Sequence, residues 1–308
     1  MALPIIFFHR GFEPYVAFTL WQARQTNPRS PVYLLGDESN DLGGIGVNHV
    51  PFRDGAGAAG EFVDAYRHLS GHELACERLC FERWFHLHEF LQTSGIKEFC
   101  FLDSDYFLLM DLEELRSGWA GFEMAGTPAW AFCYFNGAGI IARFCAFMLE
   151  RFRDETQVRA WEAAYRAGGD LFPTEGIHNV SDMLLWMMFI REAGIRHLDL
   201  RIPRNGVVFD SLIDGSHGFR MRNGFKELTR RNGAITGHHE QTNQDVRFAG
   251  LHLCGKYPKR LGPVFTGLPL PLMRACFRPK YGHNLRRLLL IALHSRRIKR
   301  GFFAESRP

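Results

Sequence analysis

The chain has 308 residues, 46% of them hydrophobic and 23% charged, with a formal net charge of +4. This is the composition of a soluble globular protein that buries a full core, as one large domain or two closely joined lobes. No apolar stretch approaches the roughly 20 residues of a membrane span, the first residues lack the basic start and cleavage site of a signal peptide, and seven cysteines without a Cys-x-x-Cys pair argue for reduced thiols in a cytosolic protein.

The N-terminal half alternates strand and helix. Residues 4–8 form a short apolar strand, and residues 15–25 carry helical spacing through Val16, Leu20 and Ala23. Asn27-Pro28 stops that helix, and a second strand over 31–35 runs into Gly36-Asp37. A third strand covers 47–50, followed by a Gly/Ala-rich loop at 55–60 and two helices, over 61–69 and 73–92. The strand after them, 99–102, ends in Asp103-Ser-Asp105. Strands alternating with helices at this spacing predict a mainly parallel sheet, whose ligand crevice lies at the strands' carboxyl ends. His9, Asp37 and Asp103 then share one edge, the side suited to a nucleotide.

The second half predicts a strand over 131–141 containing Asn136-Gly-Ala-Gly139, then one long helix over 143–167. Ser181 caps a further helix through 190, placing Asp182 in its first turn. After residue 205 the chain reads as strands and turns, ending in an apolar strand over 247–253 with His252 and Gly255-Lys256 at its end. Charge is divided unevenly: residues 1–245 carry a balance of −9, whereas residues 246–304 hold 13 Lys and Arg and no acid. Such a basic segment suits an anionic partner; a solvated tail explains it equally well. Its last apolar run, 288–293, is bracketed by arginine pairs, which suggests a helix lying in a membrane surface, although arginines and leucines do not separate cleanly on a helical wheel.

The acid pair is the most informative motif. In extended backbone, residues two apart point to the same side, so Asp103 and Asp105 can face one point beyond the strand. Two hard oxygen donors there suit Mg²⁺ or Mn²⁺, ions that usually carry a nucleotide's phosphates as further ligands. A surface acidic turn is the plain alternative.

The segment Phe-Leu-Asp103-Ser-Asp105-Tyr-Phe-Leu-Leu-Met-Asp111-Leu-Glu-Glu114-Leu resembles the one that glycogenin-like glycosyltransferases carry around their Asp-x-Asp motif. Further matches follow in family order: Tyr134-Phe135-Asn136-Gly-Ala-Gly139 is similar to the Phe-Asn-x-Gly strand, Asp182 to the acid near the sugar, and Leu251-His252-Leu-Cys-Gly255-Lys256 to the His-x-x-Gly metal and phosphate motif. Two spacings depart from the family, Asn136 to Gly139 and His252 to Lys256 or Lys259. What the resemblance implies is therefore the broader superfamily: an α/β GT-A (Rossmann-like) fold in a single domain with a mixed, mainly parallel sheet. Residues 1–125 would form its nucleotide-sugar-binding half, residues 126–260 its acceptor-binding half, and residues 261–308 a basic tail.

On that resemblance, Asp103, Asp105 and His252 hold the divalent cation, Mn²⁺ being favoured over Mg²⁺ by the imidazole. Lys256 sits at the diphosphate oxygens, and Arg83 lies near the diphosphate or donor sugar. Asp37 accepts hydrogen bonds from ribose or base, or is a simple turn aspartate. Asn136 binds donor hydroxyls; Asp182 does the same or acts as base toward the acceptor. The expected activity is metal-dependent transfer of a hexose from a nucleotide-sugar, UDP favoured, to a glycan or glycolipid in surface-polysaccharide or lipid-linked saccharide synthesis, at the inner face of the membrane and without a nucleic-acid partner. Two other classes compete. A haloacid-dehalogenase-like phosphatase also uses Asp-x-Asp, and Gly36-Asp-Glu-Ser-Asn-Asp41 echoes its Gly-Asp loop, but in reversed order. A basic-tailed binding module for nucleic acid or lipid explains residues 246–304 and leaves the ordered acids unused.

Overall fold

The structure, a computed structural model, describes residues 2–42, 45–52, 57–127, 130–168, 171 and 178–254. Its elements, in chain order, are β1 (Ile5–Phe8), α1 (Pro14–Thr26), β2 (Val32–Gly36), β3 (Asn48–Pro51), α2 (Gly57–Ala65), α3 (Leu74–Ser94), β4 (Glu98–Asp103), β5 (Tyr106–Leu108), β6 (Met124–Gly126) and β7 (Phe132–Asn136). There follow α4 (Gly139–Arg153), α5 (Glu155–Arg166), α6 (Asp182–Glu192), β8 (His197–Asp199), β9 (Val207–Phe209), β10 (Met221–Arg222), β11 (Phe225–Lys226), β12 (Leu228–Arg231), β13 (Ala234–His239) and β14 (Gln244–His252). Lys256 and the basic segment beyond residue 254 lie outside the described residues.

The main sheet has the order β3-β2-β1-β4-β7-β6-β8, with β7 antiparallel to both neighbours and every other pairing parallel. It is mainly parallel, as the strand–helix alternation predicts, and mixed, as the resemblance implies. Both faces are covered, which is why its strands read as unbroken apolar runs. Ile5 and Phe7 pack with α1 on one face, Ile6 and Phe8 with α2, α3, α4 and α6 on the other. The predicted boundary near residue 125 falls within β6, so both halves of the chain build this one sheet.

A smaller sheet, β12-β13-β14-β5 with β9 beside β14, has its own core around Phe107, Phe219, Phe248 and Leu251. The two sheets meet where β4 ends and β5 begins, at the corner Asp103-Ser104-Asp105. Strand β14 pairs antiparallel with β5, His252 opposite Tyr106, and Leu253 N–H donates to the Asp105 carbonyl at 3.0 Å.

Three local expectations change. The Gly/Ala-rich stretch predicted as a loop at 55–60 is helical from Gly57, and the helix predicted over 61–69 is α2, which ends at Ala65. The helix predicted over 143–167 is two helices, because Asp154 adopts extended backbone (ψ 99°) and its carboxylate accepts from Thr156 and Gln157 N–H as an N-cap. The strand predicted to run to residue 141 ends at Asn136, because Gly137 at φ 140° turns the chain into α4. Among the described residues, no helix is long and apolar enough to cross a membrane.

Candidate active site

The site lies at the carboxyl edge of the main sheet. Parallel pairing sets Phe8 beside Asp103, so His9, Asp37 and Asp103 end neighbouring strands, as the alternation predicts. From there the two motif carboxylates diverge. Residues 104 and 105 form a turn, not extended strand, so Asp103 and Asp105 take different partners.

Asp103 pairs with Arg83 of α3, whose other nitrogen reaches Asp182 at 2.7 Å. Asp182, buried in the first turn of α6, also accepts from Trp84 Nε1 at 2.9 Å on the same oxygen, Oδ2. Ser181 is the N-cap, its hydroxyl accepting from Leu184 N–H. The guanidinium sits over aromatic faces, 5.0 Å from the Trp84 ring and 6.0 Å from that of Phe101. Trp84 in turn packs on Trp186 with centroids 5.1 Å apart. Burial opposes the charge on Arg83, but Asp103 and Asp182 outweigh it and raise its pKa. Burial pushes the Asp103 carboxyl up, and Asp105 and Asp182 add to that; Arg83 and His252 pull it back only in part.

Asp105 faces His252, with Nε2 and Oδ1 3.4 Å apart. Both are buried. The imidazole is held by its other nitrogen: Nδ1 lies 2.5 Å from the Ser211 carbonyl, which fixes Nδ1 as donor and turns Nε2 toward the acids. The backbone beneath it is fixed as well, since His252 N–H donates to Asp210, and Asp210 forms a fully buried ion pair with Lys226 at 2.7 Å. Although burial lowers the imidazole pKa, Asp105 more than compensates and, with Asp103 and the Ser211 carbonyl, raises it to about 9. Three carboxylates thus gather around one guanidinium and one imidazole, an excess of negative charge that a divalent cation would neutralise.

A cation has donors here. One ligand atom each from Asp105, His252 and Cys254 lie within 4.8 Å of one another. The oxygen, nitrogen and sulfur donors, with His252 already oriented by an outer partner, fit a metal ion. Cys254 was not among the sequence candidates; its signal is the His-x-Cys spacing at the end of β14.

The other predicted residues divide. His9 Nδ1 lies 2.9 Å from Ser104 Oγ, which also meets Tyr15 Oη at 3.1 Å, so the middle residue of the motif faces β1 and α1. Asp37 accepts from Gly11 N–H, Ser39 N–H and the Ser39 hydroxyl, shaping the loop after β2. Burial would raise its pKa, yet these bonds hold it below the usual value. Asn136 is not brought to this cluster. It pairs with Glu98 at the start of β4, on the opposite edge of the sheet, and is exposed. Lys256 lies outside the described residues.

No protein-family model matches the sequence, and no curated protein is similar to it. Glycosyltransferases are among the solved structures that resemble this chain. One is the galactosyltransferase LgtC crystallised with donor and acceptor sugar analogues, at TM-score 0.49 and 11% identity, covering 89% of this chain and 100% of that one. Another is mouse xyloside xylosyltransferase 1 in its apo form, at TM-score 0.43 and 11% identity over 65% of this chain and 85% of that one. A third is GlyE of Streptococcus pneumoniae TIGR4, at TM-score 0.36 and 12% identity, where 65% of this chain spans 45% of the other.

Proposed function

We propose that this chain is a glycosyltransferase that uses a divalent cation to move a hexose from a nucleotide-diphosphate sugar, UDP favoured, to a glycan or glycolipid acceptor. The observation that carries this reading is the convergence of Asp105 and His252, from two different sheets, beside the Arg83-bridged pair Asp103 and Asp182. A cation held there by Asp105 and His252 would offset the charge that grows on a leaving diphosphate. With carboxylate and imidazole donors, Mn²⁺ is favoured over Mg²⁺.

The chain's own groups have the remaining roles. Ser211 and Asp210 hold His252 in one orientation and one tautomer. Arg83 is engaged by two carboxylates, so it fixes Asp103 and Asp182 at the floor of the site and leaves the diphosphate to other donors, Lys256 among them. Asp182 faces the donor sugar, whose hydroxyls it accepts. Asp37 shapes the loop where a ribose or base would rest, and His9 stands beside it with Ser104. The phosphatase alternative needs a carboxylate free to attack phosphorus at the strand end, and Asp103 is instead clamped by Arg83.

Thermal denaturation against a panel of nucleotide-sugars, with and without Mn²⁺, tests the reading. A ligand at 100 times its Kd stabilises by about 2.7 kcal/mol, and stabilisation should need sugar nucleotide and metal together. If no nucleotide-sugar shifts the transition in either condition, the transferase reading is lost. The basic segment 246–304 would hold the enzyme at an anionic membrane surface, the inner leaflet where lipid-linked saccharides are built. Truncation after Pro271 should then release it from anionic liposomes while donor binding persists; a truncated protein that still sediments with the liposomes removes this role.

A further inference from the structure

The donor set at the candidate metal site contains a sulfur. Cys254 follows His252 by two residues at the end of β14, and its Sγ, the His252 nitrogen and the Asp105 oxygen fall within 4.8 Å of one another. Cys254 is exposed, whereas Asp105 and His252 are buried, so the thiol stands at the mouth and the other two donors at the floor. Antiparallel pairing of β14 with β5 ends at His252 opposite Tyr106, and Leu253 N–H is tied to the Asp105 carbonyl at 3.0 Å. The backbone that carries Cys254 is thereby anchored to the same corner that carries Asp105.

We propose that Cys254 Sγ is the third protein ligand of this site, and that the cation held most tightly is therefore a thiophilic one, Zn²⁺ or Co²⁺, rather than Mg²⁺. The proposal rests on the reading that Asp105 and His252 hold the divalent cation. A site of carboxylate oxygens and imidazole alone ranks the ions by Lewis acidity, and hard Mg²⁺ prefers oxygen throughout. A thiolate shifts the ranking further, because sulfur is soft and Zn²⁺ accepts Cys, His and Asp in one tetrahedral sphere with a fourth position open. On binding, the Cys254 S–H and the His252 Nε2–H bonds give way to sulfur–metal and nitrogen–metal bonds, and both protons leave to the buffer. An open fourth position is what a donor phosphate would occupy. The sequence also supplies a harder competitor to this arrangement in Asp103, but that carboxylate is engaged by Arg83.

Cobalt reports the bond directly. The metal-free, reduced full chain is titrated with Co²⁺ and followed in the near ultraviolet, where thiolate-to-cobalt charge transfer absorbs. The expected result is a band that grows to one equivalent, is displaced by Zn²⁺, and is absent from both Cys254→Ser and Asp105→Ala. Cys254→Ser should lower Co²⁺ affinity by about tenfold or more, the size of effect that loss of even an outer partner produces, while Mg²⁺ affinity stays within about twofold. Cys254→Ala, with an unchanged melting temperature, guards against a folding defect. Co²⁺ binding without the band, or a band that persists in Cys254→Ser, overturns the sulfur ligand and leaves the Asp105–His252 site standing. Failure of the wild-type chain to bind Co²⁺ at all overturns both.

Discussion

The two edges of the main sheet carry similar chemistry and put it to different use. At the carboxyl edge, Arg83 joins Asp103 and Asp182 with its side chain 11% exposed. At the opposite edge, Arg116 pairs with Glu98, which also accepts from the Tyr134 hydroxyl at 2.7 Å, and here the arginine is 32% exposed. Glu98, Arg116, Tyr134 and Asn136 line a surface cavity there. The carboxyl pKa values move in opposite directions. Burial raises both, but at Glu98 the bonds from Arg116 and Tyr134 prevail and the value falls, whereas at Asp103 burial prevails and the value rises. The difference is one of solvation and crowding: two further acids, Asp105 and Asp182, act on Asp103. The carboxyl edge crowds three carboxylates around one guanidinium and one imidazole, charge that a cation would offset; at the opposite edge the arginine and the tyrosine hydroxyl already engage Glu98.

The comparison breaks most sharply at Arg83. Arg83→Met leaves the buried Asp182 and the half-buried Asp103 without their bridge and should cost about 3 kcal/mol by denaturant unfolding, as for other largely buried pairs stripped of one partner. A loss under about 1 kcal/mol would show that the site's acids are solvated after all. Next in size, Asp105→Asn should lower metal-dependent donor turnover about a hundredfold or more with the fold retained, measured by release of nucleoside diphosphate; unchanged turnover in this variant removes Asp105 from the metal site.

The opposite edge sharpens the contrast. Glu98→Gln should cost at most about 1 kcal/mol, since the pair it breaks is partly solvated, and it should also change the acid response. The Glu98 carboxyl titrates below its ordinary 4.5 in the folded chain, so its contribution is complete above that value and is lost as pH falls through the folded value. The wild type should therefore lose stability more steeply below pH 4.5 than Glu98→Gln, and parallel curves would deny Glu98 any role. Smallest of all, Asn136→Ala should leave donor KM and kcat within about twofold. A large loss of kcat would return Asn136 to the site and place the sugar-binding edge elsewhere.

Much of this was legible in the residues. The apolar runs of β1, β2 and β4, the Asn27-Pro28 stop and the Ser181 cap are local signals, and the chain folds where they indicate. The edge shared by His9, Asp37 and Asp103 follows from strand–helix alternation, because parallel strands all end on the same side. Other features escaped that reading for identifiable reasons. Asn136 has the flanking residues of a site asparagine, but β7 runs antiparallel to β4, and strand direction is set by pairing across 30 or more residues, not by neighbours. The pairing of Arg83 with both Asp103 and Asp182 joins α3, β4 and α6, whose spacing in sequence carries no trace of contact. Cys254 reads as an ordinary thiol until β14 is docked on β5.

The sequence by itself determined which residues bear charge at strand and helix ends, because alternation, capping and turn chemistry act over a few residues. Tertiary structure alone decided which of those charges meet. A turn at Ser104 sends Asp103 toward a buried arginine and Asp105 toward an imidazole from another sheet. The register of β14 on β5 is long-range hydrogen bonding, and only that register brings the oxygen, nitrogen and sulfur donors to one place.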